Sequence, residues 1–249
     1  MDALATCALR LGDDSLILGQ RLSEWCGHAP ALEVDLSLAN VALDLIGQAT
    51  HFLGLAGELE GPTEGKRVRD ADALAFKRDV LDFSNCLLVE QQNGDFAQTI
   101  ARQLLFSHFQ ELHLTALARS KHERFAAIAA KAVKEVTYHS KLASDWVIRL
   151  GDGTDESKAR MIAGLDWMWR FTDELFVMDA IDAALGIDKA ALRPAWDARI
   201  DAVLAEAALE RPAPRRPITG GRNGHHSEQI GHLLSEMQFL QRAYPGATW

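Results

Sequence analysis

Apolar residues recur at spacings of three and four through most of the chain, and no Val/Ile-rich stretch alternates apolar with polar. The pattern therefore predicts helices and no sheet. A first helix spans about residues 4–27 and stops at CGHAP, where Gly27 can end the last turn and Pro30 cannot continue it. A second, over about 32–59, ends before the Gly/Pro-punctuated EGPTEGK. A crossover of about thirty residues follows, with one short helix around DADALAFKRD. The turn signal QQNGD precedes a third long helix over about 96–120, and a fourth runs over about 123–150 to GDGTD. Further helices are predicted over about 156–176, 192–209 and 227–242. Two long helices, a long crossover and two more long helices is the connectivity of a ferritin-like four-helix bundle. The expectation is one all-α domain over 1–249, its core bundle in 4–150 and additional C-terminal helices in 154–249.

Winding each helix at 100° per residue places several polar groups on apolar stripes. In the second helix Asp44 and Gln48 share a face with Val34, Leu38, Val41, Leu45, Phe52 and Leu55. In the third, His108 and Glu111 lie among Ile100, Ala101, Leu104 and Leu112, and in the fourth Glu135 and His139 lie among Ala132, Val136 and Ala143. Carboxylates and imidazoles on facing helices are the donors of a carboxylate-bridged di-iron centre. That centre expects one Glu from each of two helices and Glu-x-x-His from each of the other two. Here the first helix turns Glu24 away from its stripe, Gly47 stands where the second needs a His, and Val136 stands three before His139. The set is incomplete. These groups are then either hydrogen-bonded or ion-paired partners inside the core, the remnant of a metal site, or a non-standard site built on Asp44, Glu111, Glu135 and His139.

Composition narrows the classes. The 249 residues carry 26 Lys and Arg against 35 Asp and Glu, and the net charge of -9 disfavours nucleic acid and anionic membrane surfaces as partners. Three cysteines without metal or redox spacing fit a reducing cytoplasm. The amino terminus lacks the basic start of a signal peptide, and no apolar run reaches the roughly 18 residues of a membrane span. Neither G-x-S-x-G nor H-E-x-x-H occurs, so hydrolase and zinc-protease chemistry has no support.

Three surface features admit two readings each. On the outer face of the first helix Arg10, Asp13, Asp14, Arg21, Glu24 and His28 surround Ile17, which fits a solvated face or charges that fix register against a partner. WMWRFTDEL directs Trp167, Trp169 and Phe171 to different sides of one helix, for burial in the chain or for a subunit interface. RRPITGGRNGHH combines Arg215, Arg216 and Arg222 with Gly220, Gly221 and Gly224, so it is a connecting loop or a cradle for a CoA phosphate.

Four blocks, LRLGDDSLILGQRLSEWCGHAP, DLSLANVALDLIGQA, GDFAQTIARQ and EMQFLQRAYPGATW, closely resemble the C subunits of bacterial phenylacetyl-CoA ring epoxidases. These belong to multicomponent monooxygenases of aerobic phenylacetate breakdown, and the similarity runs from about residue 4 to 249. The resemblance implies a ferritin-like subunit without catalytic duty and without a cofactor of its own. It implies pairing with an A subunit that carries di-iron and binds the CoA thioester, while a B subunit bridges the assembly and electrons come from NADPH. Self-pairing of the isolated chain into a homodimer stays open, as do an active di-iron oxidase with a non-standard site and a free-standing acyl-CoA carrier.

Overall fold

The computed structural model describes residues 2–62 and 68–247. The described residues form eleven α-helices and short 3-10 turns, with no strand. The chain is all-α, and its element order is that of a ferritin-like bundle. Of the predicted EGPTEGK loop, residues 63–66 lie outside the described residues.

Two compact units divide the chain. The first comprises Met1–Gln91, Ala180–Leu185 and Gly220–Trp249. It is built on a hairpin of α1 (Ala3–Ser23) and α2 (Leu32–Glu60). The α1 start is capped by Asp2, whose carboxylate accepts from Leu4 N at 3.4 Å, and past its end Gly27 takes a positive φ of 78°. Close approach in the hairpin needs small residues on α1. A Cβ on Gly12 would lie 2.6 Å from Leu53 Cδ2, and one on Gly19 3.2 Å from Ile46 Cγ1. The crossover supplies α3 (Ala71–Phe76), a 3-10 turn at Val80–Asp82 and α4 (Leu87–Glu90).

The second unit comprises Gln92–Asp179 and Gly186–Thr219. Its hairpin joins α5 (Phe96–Leu117) to α6 (Glu123–Gly151), and α7 (Asp155–Trp169) packs on both. Asp95 caps α5 by accepting from Gln98 N at 2.9 Å, and Thr154 and Ser157 form a reciprocal capping box on α7. α7 is shorter than the predicted 156–176 helix. Thr172 donates its hydroxyl to Trp169 O at 2.8 Å, a local bond that competes with continuation of the helix, and a 3-10 turn follows at Asp173–Phe176.

The segment after residue 176 holds α8 (Ala180–Ala183), which belongs to the first unit and which no sequence pattern predicted. Back in the second unit, α9 (Arg193–Glu206) brings Trp196 to full burial. Its Nε1 donates to Leu105 O at 3.0 Å, and Trp169 and Phe176 pack on it at centroid distances of 5.8 and 5.4 Å. The predicted final helix is two pieces, α10 (Glu228–Met237) and α11 (Phe239–Ala243), in the first unit. The break is Gln238, whose Nε2 donates to the carbonyls of Ala75 and Arg78 at 3.0 Å each.

Candidate functional site

In the second unit the predicted candidates on α5 and α6 meet serines and an arginine. The Glu111 carboxylate accepts from Ser140 Oγ at 2.6 Å and lies 3.1 Å from the Arg199 guanidinium, brought in by α9. His108 Nε2 bonds Ser144 Oγ at 2.9 Å, and Ser144 Oγ in turn donates to Ser140 O at 2.7 Å. Burial first, and the Arg199 charge second, push the His108 imidazole down from 6.5 to about 4, against a smaller upward pull from Glu111. His108 is therefore neutral near pH 7, and its Nδ1 is buried without a hydrogen-bond partner. His139 is buried on α6 with its ring 6.3 Å from that of Tyr138, and Glu135 is half-buried.

In the first unit Gln48 is buried on α2 and Asp44 is half-buried beside it. These donors do not fit a di-iron centre. The Glu111 carboxylate already faces a guanidinium, and a cation beside that carboxylate would repel a metal ion. Among the described residues no three His, Cys, Asp or Glu side chains converge as metal ligands.

The first unit holds a second polar cluster, and it corrects the expectation for the outer face of α1. Arg10, Asp13, Asp14, Ile17 and Arg21 are all buried within the chain, neither solvated nor open to a partner. Residues 78–91 and 220–230 cover that face. Asp13 pairs with the buried Arg78, whose Nη1 donates to Oδ2 at 3.0 Å, and also accepts from Ser84 N at 2.9 Å. Arg222 binds Asp14 through both terminal nitrogens, at 3.0 and 2.7 Å, and Asp14 also accepts from Cys86 N at 2.8 Å. Arg21 donates to Glu90 O at 3.0 and 2.9 Å and to Gln229 O at 3.0 Å. Arg10 pairs with Asp182 of α8 at 3.4 Å. Of the charged residues predicted on that face, Glu24, 2.8 Å from Arg21, and His28, past the end of α1, stay exposed.

At the centre lies Glu90, fully buried. Its Oε1 accepts from Ser227 N at 2.6 Å and Ser227 Oγ at 2.7 Å; its Oε2 accepts from Asn85 Nδ2 at 2.9 Å and faces His226 Nδ1 at 2.7 Å. The other ring nitrogen of His226 meets Phe83 O at 2.9 Å. With an acceptor at each nitrogen the ring is held as an imidazolium. Burial opposes that charge, but the bonds to Glu90 and Phe83 O and the charges of Glu90 and Asp13 outweigh it and raise the pKa above 6.5.

The Arg/Gly loop is thus no phosphate cradle at Arg222, which is committed to Asp14, while Arg215 pairs with Asp166 at 2.5 Å. Its glycines serve close packing. A Cβ on Gly221 would sit 2.3 Å from Asn85 O. Trp169 is buried in the second unit, whereas Trp167 stays 39% exposed under the Arg170 guanidinium at 4.5 Å.

Sequence reasoning missed Glu90, His226 and Arg78. The one available signal was Ile17 amid charges, because an apolar residue with charges of both signs around it also suits a face that the chain itself covers.

The fold and these clusters define the class first: a ferritin-like all-α protein whose buried acids are neutralised by arginine and histidine side chains. Residues 1–249 match the family described as phenylacetic acid catabolic protein, and the chain belongs to that family. It is 50% identical over 254 residues to the C subunit of 1,2-phenylacetyl-CoA epoxidase from Escherichia coli (strain K12), with 100% of both chains covered. No helix among the described residues is long and apolar enough to cross a membrane.

Proposed function

We propose that this chain is a structural, non-catalytic subunit of a cytoplasmic phenylacetyl-CoA epoxidase. It supports an A subunit that carries the di-iron site, and a B subunit bridges the assembly. The relative's name supports the assignment to that enzyme. The observation that carries the non-catalytic role is Glu111, whose carboxylate is taken up by Ser140 and Arg199. A working centre would need that carboxylate for metal, and the groups around it on α5 and α6 form a hydrogen-bonded chain instead.

Metal analysis of the purified chain, alone and co-expressed with the A subunit, tests this reading. The expected result is well under one iron per chain alone, co-purification with the A subunit, and epoxidation only when both are present. Stoichiometric iron in the isolated chain, lost together with turnover in His139→Gln, would favour a non-standard oxidase and overturn the proposal.

A further inference from the structure

In the second unit the segment PRRPIT, residues 214–219, runs past the end of α7. Pro214 and Pro217 bracket Arg215 and Arg216, which fixes two φ angles and disfavours helical backbone at Arg216. Two contacts tie the segment to α7. Ile218 N donates to Arg170 O at 2.9 Å, and Arg215 pairs with Asp166 at 2.5 Å. Where segment and helix meet lies an open cavity of about 620 Å³, lined by Arg170, Arg215, Arg216, Pro217, Ile218 and Thr219. That volume suits a small ligand, and the two ties hold its walls together before any ligand arrives.

Charge selects the ligand. The lining holds three arginines and no acid, in a chain of net charge -9 where Arg78, Arg193, Arg211 and Arg222 all meet carboxylates. Asp166 neutralises Arg215, but among the described residues no carboxylate pairs with Arg170 or Arg216. The Arg170 guanidinium lies 4.5 Å over the Trp167 ring, and its Nε is buried without a hydrogen-bond partner. Stacking thus fixes the group while its N–H donors stay unspent. Two uncompensated guanidinium groups on one cavity repel each other, and an anion between them removes that cost. A monocarboxylate satisfies one fork and one charge. A phosphate monoester brings about two charges and three acceptor oxygens, enough for both forks and for the Thr219 hydroxyl.

We infer that this cavity is a phosphate-binding site, in which Arg170 and Arg216 take a phosphate dianion and the Arg215–Asp166 pair holds the wall in place. Two sources offer that dianion. One is the 3′-phosphate of CoA, which enters through the proposed epoxidase role, and the other is free phosphate.

Calorimetric titration of the full chain at low ionic strength with inorganic phosphate, CoA, dephospho-CoA, which lacks the 3′-phosphate, and acetate tests the site. CoA bound more tightly than inorganic phosphate assigns the 3′-phosphate, and phosphate bound at least as tightly as CoA assigns the free ion. In either case Arg170→Gln and Arg216→Gln should each weaken binding about tenfold. Arg216→Lys, which keeps the charge without the fork, should weaken it several-fold. Arg149→Gln, which removes an exposed arginine stacked on Trp146 outside the cavity, should leave binding unchanged. Thermal unfolding of Arg216→Gln should match wild type, since that exposed side chain has no acid to lose. The site is overturned by absence of binding, by equal weakening in Arg149→Gln, or by dephospho-CoA or acetate binding as tightly as the preferred phosphate. Each of these results leaves the proposed subunit role standing.

Discussion

Replacing His108 with leucine should make the protein less sensitive to acid. The imidazole is buried on α5, its pKa is pushed down from 6.5 to about 4 by burial and then by Arg199, and Glu111 offsets only part of this. The unfolded chain therefore takes up a proton on this residue before the folded one does. Folded stability is full above pH 6.5 and falls as pH drops towards 4. Integrating between those two values, the loss from pH 8 to pH 5 is about 2 kcal/mol from this one residue. Leucine has nothing to titrate, and Ser144 keeps its bond to Ser140 O at 2.7 Å. At pH 8 the substitution forfeits one hydrogen bond of about 1 kcal/mol but also removes an unpartnered Nδ1, so the change there is small. Urea unfolding of both proteins at pH 8 and pH 5 isolates the effect, because every other titrating group cancels in the double difference. The expected double difference is about 2 kcal/mol in favour of the variant. Equal losses in the two proteins would refute the claim that His108 is held neutral by its surroundings.

The opposite sign belongs to His226. Its folded pKa lies above 6.5, so its contribution is complete below pH 6.5 and disappears as pH rises through the folded value. Thermal unfolding followed from pH 6.5 upward should show a decline in the wild type that His226→Gln lacks. Gly221→Ala should destabilise the chain by about 2–3 kcal/mol, because its Cβ meets the Asn85 carbonyl at 2.3 Å, and a chemical unfolding midpoint within error of wild type would contradict that close contact.

The four long helices were legible because their faces obey a single period and their ends carry glycine, proline or acid caps. Leu32 and Phe96 begin α2 and α5 as the pattern predicts, and the α6 boundaries agree within a residue. The predicted 156–176 and 227–242 helices were broken by Thr172 and Gln238, side chains that hydrogen-bond carbonyls in ways no periodicity encodes. The incomplete donor set was also readable, since Gly47 and Val136 are absences in a fixed pattern.

The cluster around Glu90 was not readable. It unites Asp14 with Arg222 and Glu90 with His226 across 208 and 136 residues, and a helical wheel registers only neighbours within a few turns. The same limit made the α1 charges look solvated. Their cover comes from segments far along the sequence, and covered opposite charges are tolerated only because each has a specific counter-ion.

The sequence order of that cover has a consequence for synthesis. A ribosome releases α1 and the crossover early, but Arg222 and His226, the counter-ions of Asp14 and Glu90, emerge only after every residue of the second unit has been made. Until then the nascent first unit holds acids aimed at an empty slot, while the second unit has all its parts. The later unit in the hairpin order is thus the earlier one able to finish folding, and the opening segment must wait on the chain's last thirty residues.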